Sequence, residues 1–508
     1  MSVIVGIAGA ARNAAAALCD GGRIVAVCEQ ERVTRTRRAG LRASQLPVEA
    51  VETVLRLGGR TIADVSKYAV AEQAIDLPPD MPGELIERVD HHRGHAATAF
   101  FTSPFPDAVV LVCDRHGRPE LSVWQGTEAG VTPLRFPWNG PAFATVYARA
   151  AEAFGFAPLG DEHRLQALAH VASGGSEHSP SLIAYHGDRL ALSSDFRESI
   201  ASLAGRTGSP KAVSDVARAA AAVQQAIGEV LLQLVQDMKS RFGGRRLCIG
   251  GGLFYNSYFN TLLAQSELYE QTFVPVNPGN AGVAVGAALE VAGPEREPGR
   301  SAALSPFLGP GFTAGEIKAT LDNCKLLYDH VHDGHVIGRA ATAISQGKLV
   351  GWFLGRMEWG PRALGNRSIL ASPLSPYVLE NLNVFLKQRD PHRSYSVSIC
   401  EEDVPRYFRG PATSRFMEYE YEVIDPDVLP ALLPLNARRL RVQTVPESAG
   451  SFHTLIKAFG HLTGVPILVN TSFNGFNEPI VCTPRDAVRV FYGTGLDMMV
   501  IGNFILQK

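Results

Sequence analysis

Three arginines, a glutamate and an asparagine are interleaved with glycines in residues 355–368. The guanidinium of arginine is a planar fork of N–H donors that fits two oxygens of a phosphate or carboxylate at once. Glycine lets the backbone approach a ligand closely. Apolar residues 349–354 precede the segment and Ile369 and Leu370 follow it, so we expect it at a strand end beside a core. The pattern predicts an anion-binding loop, and an Arg-rich surface turn is the alternative.

A second group of basic and polar residues lies downstream. Lys387, Arg389 and Arg393 fall in one short segment, and Arg441 lies in a strand-like segment. Polar side chains follow the buried strand 466–469, at Asn470, Thr471, Ser472 and Asn474. So many cations predict a ligand with several anionic groups, such as ATP together with a second phosphate. For each arginine taken singly, a surface salt bridge is the commoner role.

A third group combines histidines with an aspartate. His91 and His95 are four residues apart, so on a helix both imidazoles project from one face. That spacing suits two metal ligands, and Asp114, at the end of an apolar strand, could add a carboxylate. A capped helix start with a satisfied histidine pair explains the pattern equally well.

Composition narrows the class of protein. A chain of 508 residues with a net charge of -2 is expected to form two or more globular domains. The absence of a basic excess argues against a nucleic-acid partner, and no apolar run is long enough to span a bilayer. The chain opens with a strand-like segment instead of a signal peptide, and its cysteines are scattered. A cytoplasmic protein with free thiols is therefore expected.

The elements that must hold these groups form a pattern that occurs twice. Residues 3–29 read as strand, turn, strand, hairpin and strand, and residues 108–136 repeat that order. An amphipathic helix is expected at 214–241, followed by a strand and the glycine-rich segment 250–257, whose Gly251, Gly252 and Asn256 could approach a nucleotide. The duplication predicts an α/β fold with a ribonuclease-H-like N-terminal domain, the architecture of actin, sugar kinases and Hsp70.

A polar segment rich in proline and glycine divides the chain. It begins at Gly293, and we predict a linker at 293–304. The expected domains are then 1–292 and 305–508, and the second is an α/β domain that holds the arginine loop.

Long motifs in both domains resemble the NodU/CmcH-type O-carbamoyltransferases, and the resemblance covers nearly the whole length. In the second domain they are GRMEWGPRALGNRSIL, the 387–393 segment, RVQTV and TGVPILVNTSFNGFNEPIVCTPRDA. In the first domain they are HHRGHAA, GGGLFYNS and NPGNAGVAVGAA. The resemblance implies antibiotic or other secondary-metabolite biosynthesis, with a homo-oligomer or a partner subunit as further expectations.

The resemblance also implies a mechanism in two stages. A YrdC-like C-terminal domain would activate carbamoyl phosphate with ATP and Mg²⁺, giving carbamoyl-adenylate and pyrophosphate. An N-terminal domain similar to the tRNA threonylcarbamoyltransferase fold, of the class called ASKHA, would pass the carbamoyl group to a hydroxyl of a small acceptor. A metal such as Fe²⁺ or another divalent ion would bind at His91, His95, Asp114 and residue 280, here Asn280.

Site residues follow from the matched motifs. The residues implied to hold carbamoyl phosphate and the adenylate are Lys387, Arg393, Arg362, Arg441 and Ser472. The nucleotide-binding residues are predicted to be Gly251, Gly252, Asn256, Arg356, Asn366, Arg367, Asn470, Thr471 and Asn474.

The first domain departs from the family pattern. Arg12 and Asn13 stand where a His-Asp-like pair is usual, and arginine cannot act as a base near neutral pH. His92 or His116 could replace the missing base. Asn280 stands where an aspartate is expected, and its uncharged amide should weaken metal binding.

These departures leave alternatives open. A divergent enzyme could transfer a different acyl group, or the chain could be a non-catalytic nucleotide-binding partner subunit. A sugar-kinase-like phosphotransferase is a third hypothesis, but it explains none of the motifs in the second domain.

Overall fold

The computed structural model describes residues 2–9, 12–40, 46–71, 83–157, 160–172, 182–207, 211–296, 302–331, 335–390, 393–434 and 437–508. The protein is of the α/β class, as predicted. Within the described residues, no helix combines the length and the apolar character that crossing a bilayer requires.

The first sheet has five strands in the order β3-β2-β1-β4-β5. The strands are β1 (Val3–Ala8), β2 (Ala15–Asp20), β3 (Arg23–Glu29), β4 (Lys67–Val70) and β5 (Ile86–Arg88). The helices in this part of the chain are α1 (Gln30–Thr34), α2 (Val48–Leu57) and α3 (His91–Phe101), and α3 packs on the strands of the second sheet. β1, β2 and β3 are antiparallel, whereas β1, β4 and β5 are parallel.

The second sheet repeats that arrangement. Its order is β12-β11-β6-β7-β8, with β6, β7 and β8 antiparallel and β6, β11 and β12 parallel. The strands are β6 (Ala108–Cys113), β7 (Leu121–Thr127), β8 (Gly130–Leu134), the separate hairpin β9 (Ile183–Tyr185) and β10 (Leu190–Leu192), β11 (Arg246–Gly250) and β12 (Gln271–Phe273). Equal order and direction in both sheets show that the duplicated pattern read from the sequence is present.

The remaining helices of this part of the chain are α4 (Phe143–Ala153), α5 (Glu162–His170), α6 (Phe196–Leu203), α7 (Val213–Phe242), α8 (Ser257–Gln265) and α9 (Asn280–Ala292). Of these, α4, α5 and the start of α9 line the site described below, and α9 packs on the first sheet. α9 packs closely on α3, because a Cβ atom added at Gly286 would lie only 2.0 Å from the carbonyl oxygen of Gly94. At the end of β11, Gly251 has a φ of +104°, and a Cβ there would lie 2.2 Å from the Cys113 carbonyl oxygen. Only glycine fits this turn, which brings β11 beside Asp114.

The rest of the chain forms a mixed ten-stranded sheet in the order β13-β22-β21-β14-β15-β20-β16-β19-β18-β17. The strands are β13 (Asp329–His330), β14 (Val350–Phe353), β15 (Arg367–Ala371), β16 (Val397–Cys400), β17 (Phe408–Arg409), β18 (Glu420–Val423), β19 (Arg439–Val445), β20 (Ile467–Ser472), β21 (Met498–Ile501) and β22 (Phe504–Gln507). The helices are α10 (Ala314–Asn323), α11 (His335–Ser345), α12 (Val378–Glu380), α13 (Val404–Tyr407), α14 (Ser451–Thr463) and α15 (Pro484–Gly493).

Local sequence explains several of these ends. Thr313 with Glu316 and Thr483 with Asp486 form capping boxes that start α10 and α15. α12 continues as a π-helix, Asn381–Leu386, and Lys387 follows it with its backbone N–H bonded to the Leu382 carbonyl oxygen at 2.8 Å. The predicted linker lies between α9 and α10, and residues 297–301 of it are outside the described residues. The domain bounds themselves stay a prediction.

Candidate functional site

A cavity of about 650 Å³ lies between the two halves of the chain. We call the side formed by residues before 293 the N-terminal wall and the side formed by residues after 305 the C-terminal wall. Loops after β1, β6 and β11, helix α5 and the start of α9 form the N-terminal wall. The segments around residues 362, 387–396, 441 and 470–480 form the C-terminal wall.

The C-terminal wall collects cations. Those that line the cavity are Arg362, Lys387, Arg389, Arg393 and Arg441. Among the described residues, no carboxylate forms an ion pair with Arg362, Lys387, Arg393 or Arg441. Burial and the neighbouring arginines lower the pKa of Arg393 to about 9 and that of Arg362 well below its usual range. Cations held together without counter-charges favour an anionic ligand.

Lys387 sits at the centre of this group. Its ammonium donates to the carbonyl oxygen of Ser472 at 2.7 Å and to the carbonyl and side-chain oxygens of Asn474 at 2.9 and 2.6 Å. Burial, followed by the charges of Arg389 and Arg393, holds the pKa of Lys387 well below its usual range. The π-helix end and the end of β20 therefore fix the ammonium at the cavity.

The polar rim lies on β20 and the turn after it. Asn470, Thr471, Ser472 and Asn474 all line the cavity, as predicted. The Asn470 amide donates to Ser398 Oγ and Gln443 Oε1, both at 3.0 Å. Its Oδ1 is buried and has no partner among the described residues, so it is an acceptor available to an N–H group of a ligand.

Three residues of the arginine loop do not reach the cavity. The Arg367 side chain is fully buried over the Phe353 ring and donates to carbonyl oxygens of its own loop and of Pro310. Arg356 donates to the Gly309 carbonyl oxygen at 3.0 Å, and Asn366 donates to that of Arg356 at 2.7 Å. Their predicted place in a nucleotide site is not observed, because their side-chain N–H groups already donate to backbone carbonyl oxygens.

Arg362 is the arginine of that loop that faces the cavity. It donates to the Tyr255 carbonyl oxygen at 3.1 Å, which joins the two walls. Arg441 likewise crosses the boundary, because its Nε and Nη2 donate to Ser257 Oγ at 3.2 and 3.1 Å. The predicted anion-binding residues thus line one cavity, but the arginine loop contributes only Arg362 of its arginines.

On the N-terminal wall, α3 and the end of β6 bring the three candidate metal ligands together. The His91 and His95 Nε2 atoms are 3.2 Å apart, and they lie 3.6 and 3.8 Å from the carboxylate oxygens of Asp114. Burial, followed by the charge of His91, lowers the pKa of His95 to about 3, so its imidazole is neutral. Two imidazoles and a carboxylate fit a divalent transition metal.

Asp114 is already well provided with donors. The backbone N–H groups of Gly252 and His116 donate to its two oxygens at 2.8 Å each. Burial raises its pKa, but hydrogen bonds from His116 and His91 outweigh that effect and hold the pKa well below the usual range. Asn280, the first residue of α9, lines the same cavity. The described acidic and imidazole ligands therefore number three, and Asn280 could add only a neutral oxygen.

The two candidate bases differ. His92 is buried, with Nδ1 at 2.8 Å from Ser122 Oγ and Nε2 at 3.0 Å from the His116 carbonyl oxygen. Both ring nitrogens are engaged and His92 does not line the cavity, so the structure does not place it as a base. His116 does line the cavity, with Nδ1 at 3.1 Å from Asp114 Oδ1 and about half of its side chain exposed.

Only some of the predicted residues in the glycine-rich turn after β11 line the cavity. Gly252 and Asn256 line the cavity, whereas Gly251 packs against Cys113 behind it. Asn256 caps α8 by accepting from the Tyr258 N–H at 3.0 Å, so its side chain serves the helix first.

Several cavity residues have no predicted role in the site, although the sequence singles out Arg12 as standing where a base is usual. Helix α5 contributes His163, Gln166, Ala167 and His170, and Arg12 and Arg115 come from the turns after β1 and β6. The spacing of the α5 residues, two helical turns on one face, was a signal that could have found them.

Comparisons with known proteins identify the family of the chain. The carbamoyltransferase C-terminus family model matches residues 341–508, and the carbamoyltransferase N-terminus family model matches residues 79–289. An uncharacterized protein of Synechocystis is 30% identical, over 100% of this chain and 97% of its own length. Nodulation protein NolO of Bradyrhizobium diazoefficiens is 30% identical, over 83% of this chain and 79% of its own. The 3'-hydroxymethylcephem-O-carbamoyltransferase of Amycolatopsis lactamdurans is 27% identical, over 82% and 80%.

Among solved structures, HypF of T. kodakarensis aligns with a TM-score of 0.38 and 13% identity, over 58% of this chain and 47% of that one. The family assignment follows from the sequence matches: the chain belongs to the NodU/CmcH-type carbamoyltransferases and is a carbamoyl-transferring enzyme.

Proposed function

We propose that the enzyme uses ATP and Mg²⁺ to convert carbamoyl phosphate into carbamoyl-adenylate, and then passes the carbamoyl group to a hydroxyl of a small molecule. The observation that carries this proposal is the C-terminal wall, where buried cations face one cavity and form no ion pair with a carboxylate of the described residues. Carbamoyl phosphate and ATP together supply the anionic groups that such a wall requires.

The chemistry of the first stage matches these groups. Water attacks the phosphorus of carbamoyl phosphate and the P–O bond breaks, which gives inorganic phosphate and carbamate. A carbamate oxygen then attacks the α-phosphorus of ATP, the bond from that phosphorus to the β-phosphate oxygen breaks, and pyrophosphate leaves. Lys387 and Arg393 offset the charge on the departing anions. Asn470 Oδ1, buried and without a partner among the described residues, can accept from the carbamoyl NH₂ group.

The second stage belongs to the N-terminal wall. Because both walls line one cavity, the activated group need not leave the protein before it meets the acceptor. A divalent ion held by His91, His95 and Asp114 would supply positive charge beside the reacting phosphate. The acceptor is a small molecule that fits the remaining volume of the cavity.

Pyrophosphate release in the presence of ATP, Mg²⁺ and carbamoyl phosphate tests the first stage. Lys387→Ala should lower the rate by about a thousandfold or more, since it removes the central cation of the site. Lys318→Ala, an exposed lysine of α10 that pairs with Asp322, is the matched control and should keep the unaltered rate. A folded Lys387→Ala protein with normal release would refute the placing of this stage on the C-terminal wall.

A further inference from the structure

Helix α5 presents two histidines to the cavity from the N-terminal wall. His163 and His170 are seven residues apart, so they lie on one face two turns apart, and both line the cavity. Because His170 is the last residue of α5, its ring lies where the N-terminal half meets β18 of the C-terminal half.

A carboxylate from β18 faces the His170 ring. His170 Nδ1 lies 3.6 Å from Glu420 Oε2, and only 9% and 5% of the two side chains are exposed. Burial raises the pKa of Glu420, but the charge of His170 and hydrogen bonds from His170 and Ser257 lower it to about 2, so the carboxylate is ionised. An ionised carboxylate favours the tautomer that carries its proton on Nδ1, which leaves the Nε2 lone pair as a proton acceptor.

The other histidines of this region are differently engaged. Both ring nitrogens of His92 have partners. His163 Nδ1 bonds to the Gly160 carbonyl oxygen at 2.8 Å, and burial together with Arg393 lowers its pKa to about 3, which makes it a weak base. His116 belongs to the Asp114 cluster. Among the described residues, His170 is the cavity histidine that faces a carboxylate outside that cluster, and no hydrogen bond to its Nε2 is formed.

The same carboxylate is connected to the anion-binding wall. Ser257 Oγ donates its single proton to Glu420 Oε1 at 2.7 Å. The same Oγ accepts from Arg441 Nε and Nη2 at 3.2 and 3.1 Å, and the Gln166 side-chain amide lies 2.8 Å from it. Glu420 therefore faces His170 with one oxygen and, through Ser257, holds Arg441 with the other. This arrangement connects the His170 ring, through Glu420 and Ser257, to a cation of the C-terminal wall.

We propose that His170 is the general base of the transfer step and that Glu420 is the residue that positions it. This inference rests on the proposed function and supplies the base that Arg12 and Asn13 cannot provide. His170 Nε2 takes the proton of the acceptor hydroxyl, while the hydroxyl oxygen forms a bond to the carbamoyl carbon. The bond between that carbon and the phosphate oxygen breaks, AMP leaves with the electron pair, and His170 later releases the proton to water.

Two reactions of one protein preparation test the base. Carbamoyl-phosphate-dependent exchange of pyrophosphate into ATP reports activation, and methyl carbamate formed from methanol as a surrogate acceptor reports transfer. His170→Ala should lower methyl carbamate formation by about a hundredfold or more, whereas exchange should fall by less than about threefold. Added imidazole should restore part of the lost transfer, because it replaces the missing base. If the alanine variant does not fold, His170→Gln tests the same loss of the base with a larger polar side chain in place. His461→Gln, at an exposed histidine of α14, is the matched control.

Glu420→Gln separates positioning from structure. The glutamine oxygen can still accept from Ser257, so Arg441 keeps its place, but the charge facing His170 is lost. We expect a lower kcat for methyl carbamate formation with the KM for carbamoyl phosphate within about threefold of the unaltered value.

The outcomes are distinguishable. Undiminished transfer in His170→Ala, equal loss of transfer and exchange, or no response to imidazole would overturn the assignment of the base. The assignment would also fail if the unaltered protein catalysed exchange but formed methyl carbamate no faster than a reaction without enzyme. No exchange in the unaltered protein would instead refute the proposed function, and the inference would fall with it.

Discussion

The two walls of the cavity differ in whether their arginines are paired with carboxylates. On the C-terminal wall, Arg362 and Arg393 lie near each other without carboxylate partners among the described residues. On the N-terminal wall, Arg32 pairs with Glu29 at 2.7 Å and Arg115 pairs with Glu162 at 3.3 Å. An unbalanced wall favours a highly charged ligand, whereas a balanced wall favours proton transfer and a less charged one. Under the proposed function, this difference would give activation and transfer different electrostatic surroundings within one cavity.

The largest effect concerns an arginine that belongs to neither wall. Arg367→Ala removes a fully buried guanidinium and leaves several carbonyl oxygens without donors, so we expect a loss of about 3–5 kcal/mol in the free energy of unfolding. Urea denaturation measures this loss, with Arg409→Ala, an exposed arginine of β17, as control. Equal stability in both variants would show that Arg367 does not hold the loop.

The carboxylate between the walls should make stability depend on pH. The pKa of Glu420 is about 2 in the folded protein against an ordinary value of 4.5. Because the folded value is depressed, its contribution is present above about pH 4.5 and is lost as the pH falls from there toward 2. The shift corresponds to roughly 3 kcal/mol.

Glu420→Gln should therefore remove that part of the acid dependence. Denaturation midpoints measured between pH 2 and pH 6 should fall less steeply in this variant than in the exposed control Glu447→Gln. Parallel curves for the two variants would mean that His170 and Ser257 do not stabilise the charged carboxylate.

A pair of arginine variants compares the walls directly. Arg393→Ala should weaken binding of inorganic pyrophosphate by about thirtyfold, because this guanidinium forms no ion pair with a carboxylate of the described residues. Arg115→Ala should change that affinity by less than about threefold, since Glu162 already balances the charge. Titration calorimetry measures both, and equal losses would contradict the contrast between the walls.

The smallest effect concerns the metal. Asn280→Asp adds a charged oxygen at the start of α9, so we expect about tenfold tighter binding of a divalent ion. Elemental analysis after dialysis measures how much metal each protein retains. A full equivalent retained by the unaltered protein would show that Asn280 does not weaken the site.

Much of the fold could be predicted from the sequence. The strand and hairpin pattern of residues 3–29 and 108–136 predicted a duplicated unit, and two sheets of matching order are present. Such patterns are local, because alternation and turn residues act over a few neighbours. The YrdC-like character of the second domain stays a prediction.

The candidate site was predictable only in part. Lys387 and Arg441 line the cavity, as the clustered cations of the sequence predicted. Arg356 and Arg367 belong to the same loop as Arg362, but they bind backbone carbonyl oxygens instead of facing the cavity. Whether an arginine meets a ligand or closes a backbone loop depends on carbonyl groups that only the folded chain brings near. His170 was missed for the same reason, because its partner Glu420 lies in the other half of the sequence.

The most direct test of the central claim is the identity of the nucleotide product. The unaltered protein is incubated with ATP and Mg²⁺, with and without carbamoyl phosphate and with no acceptor, and pyrophosphate and ADP are both measured. We predict pyrophosphate release that depends on carbamoyl phosphate and no ADP. ADP in place of pyrophosphate, or pyrophosphate release that ignores carbamoyl phosphate, would contradict activation by adenylate formation.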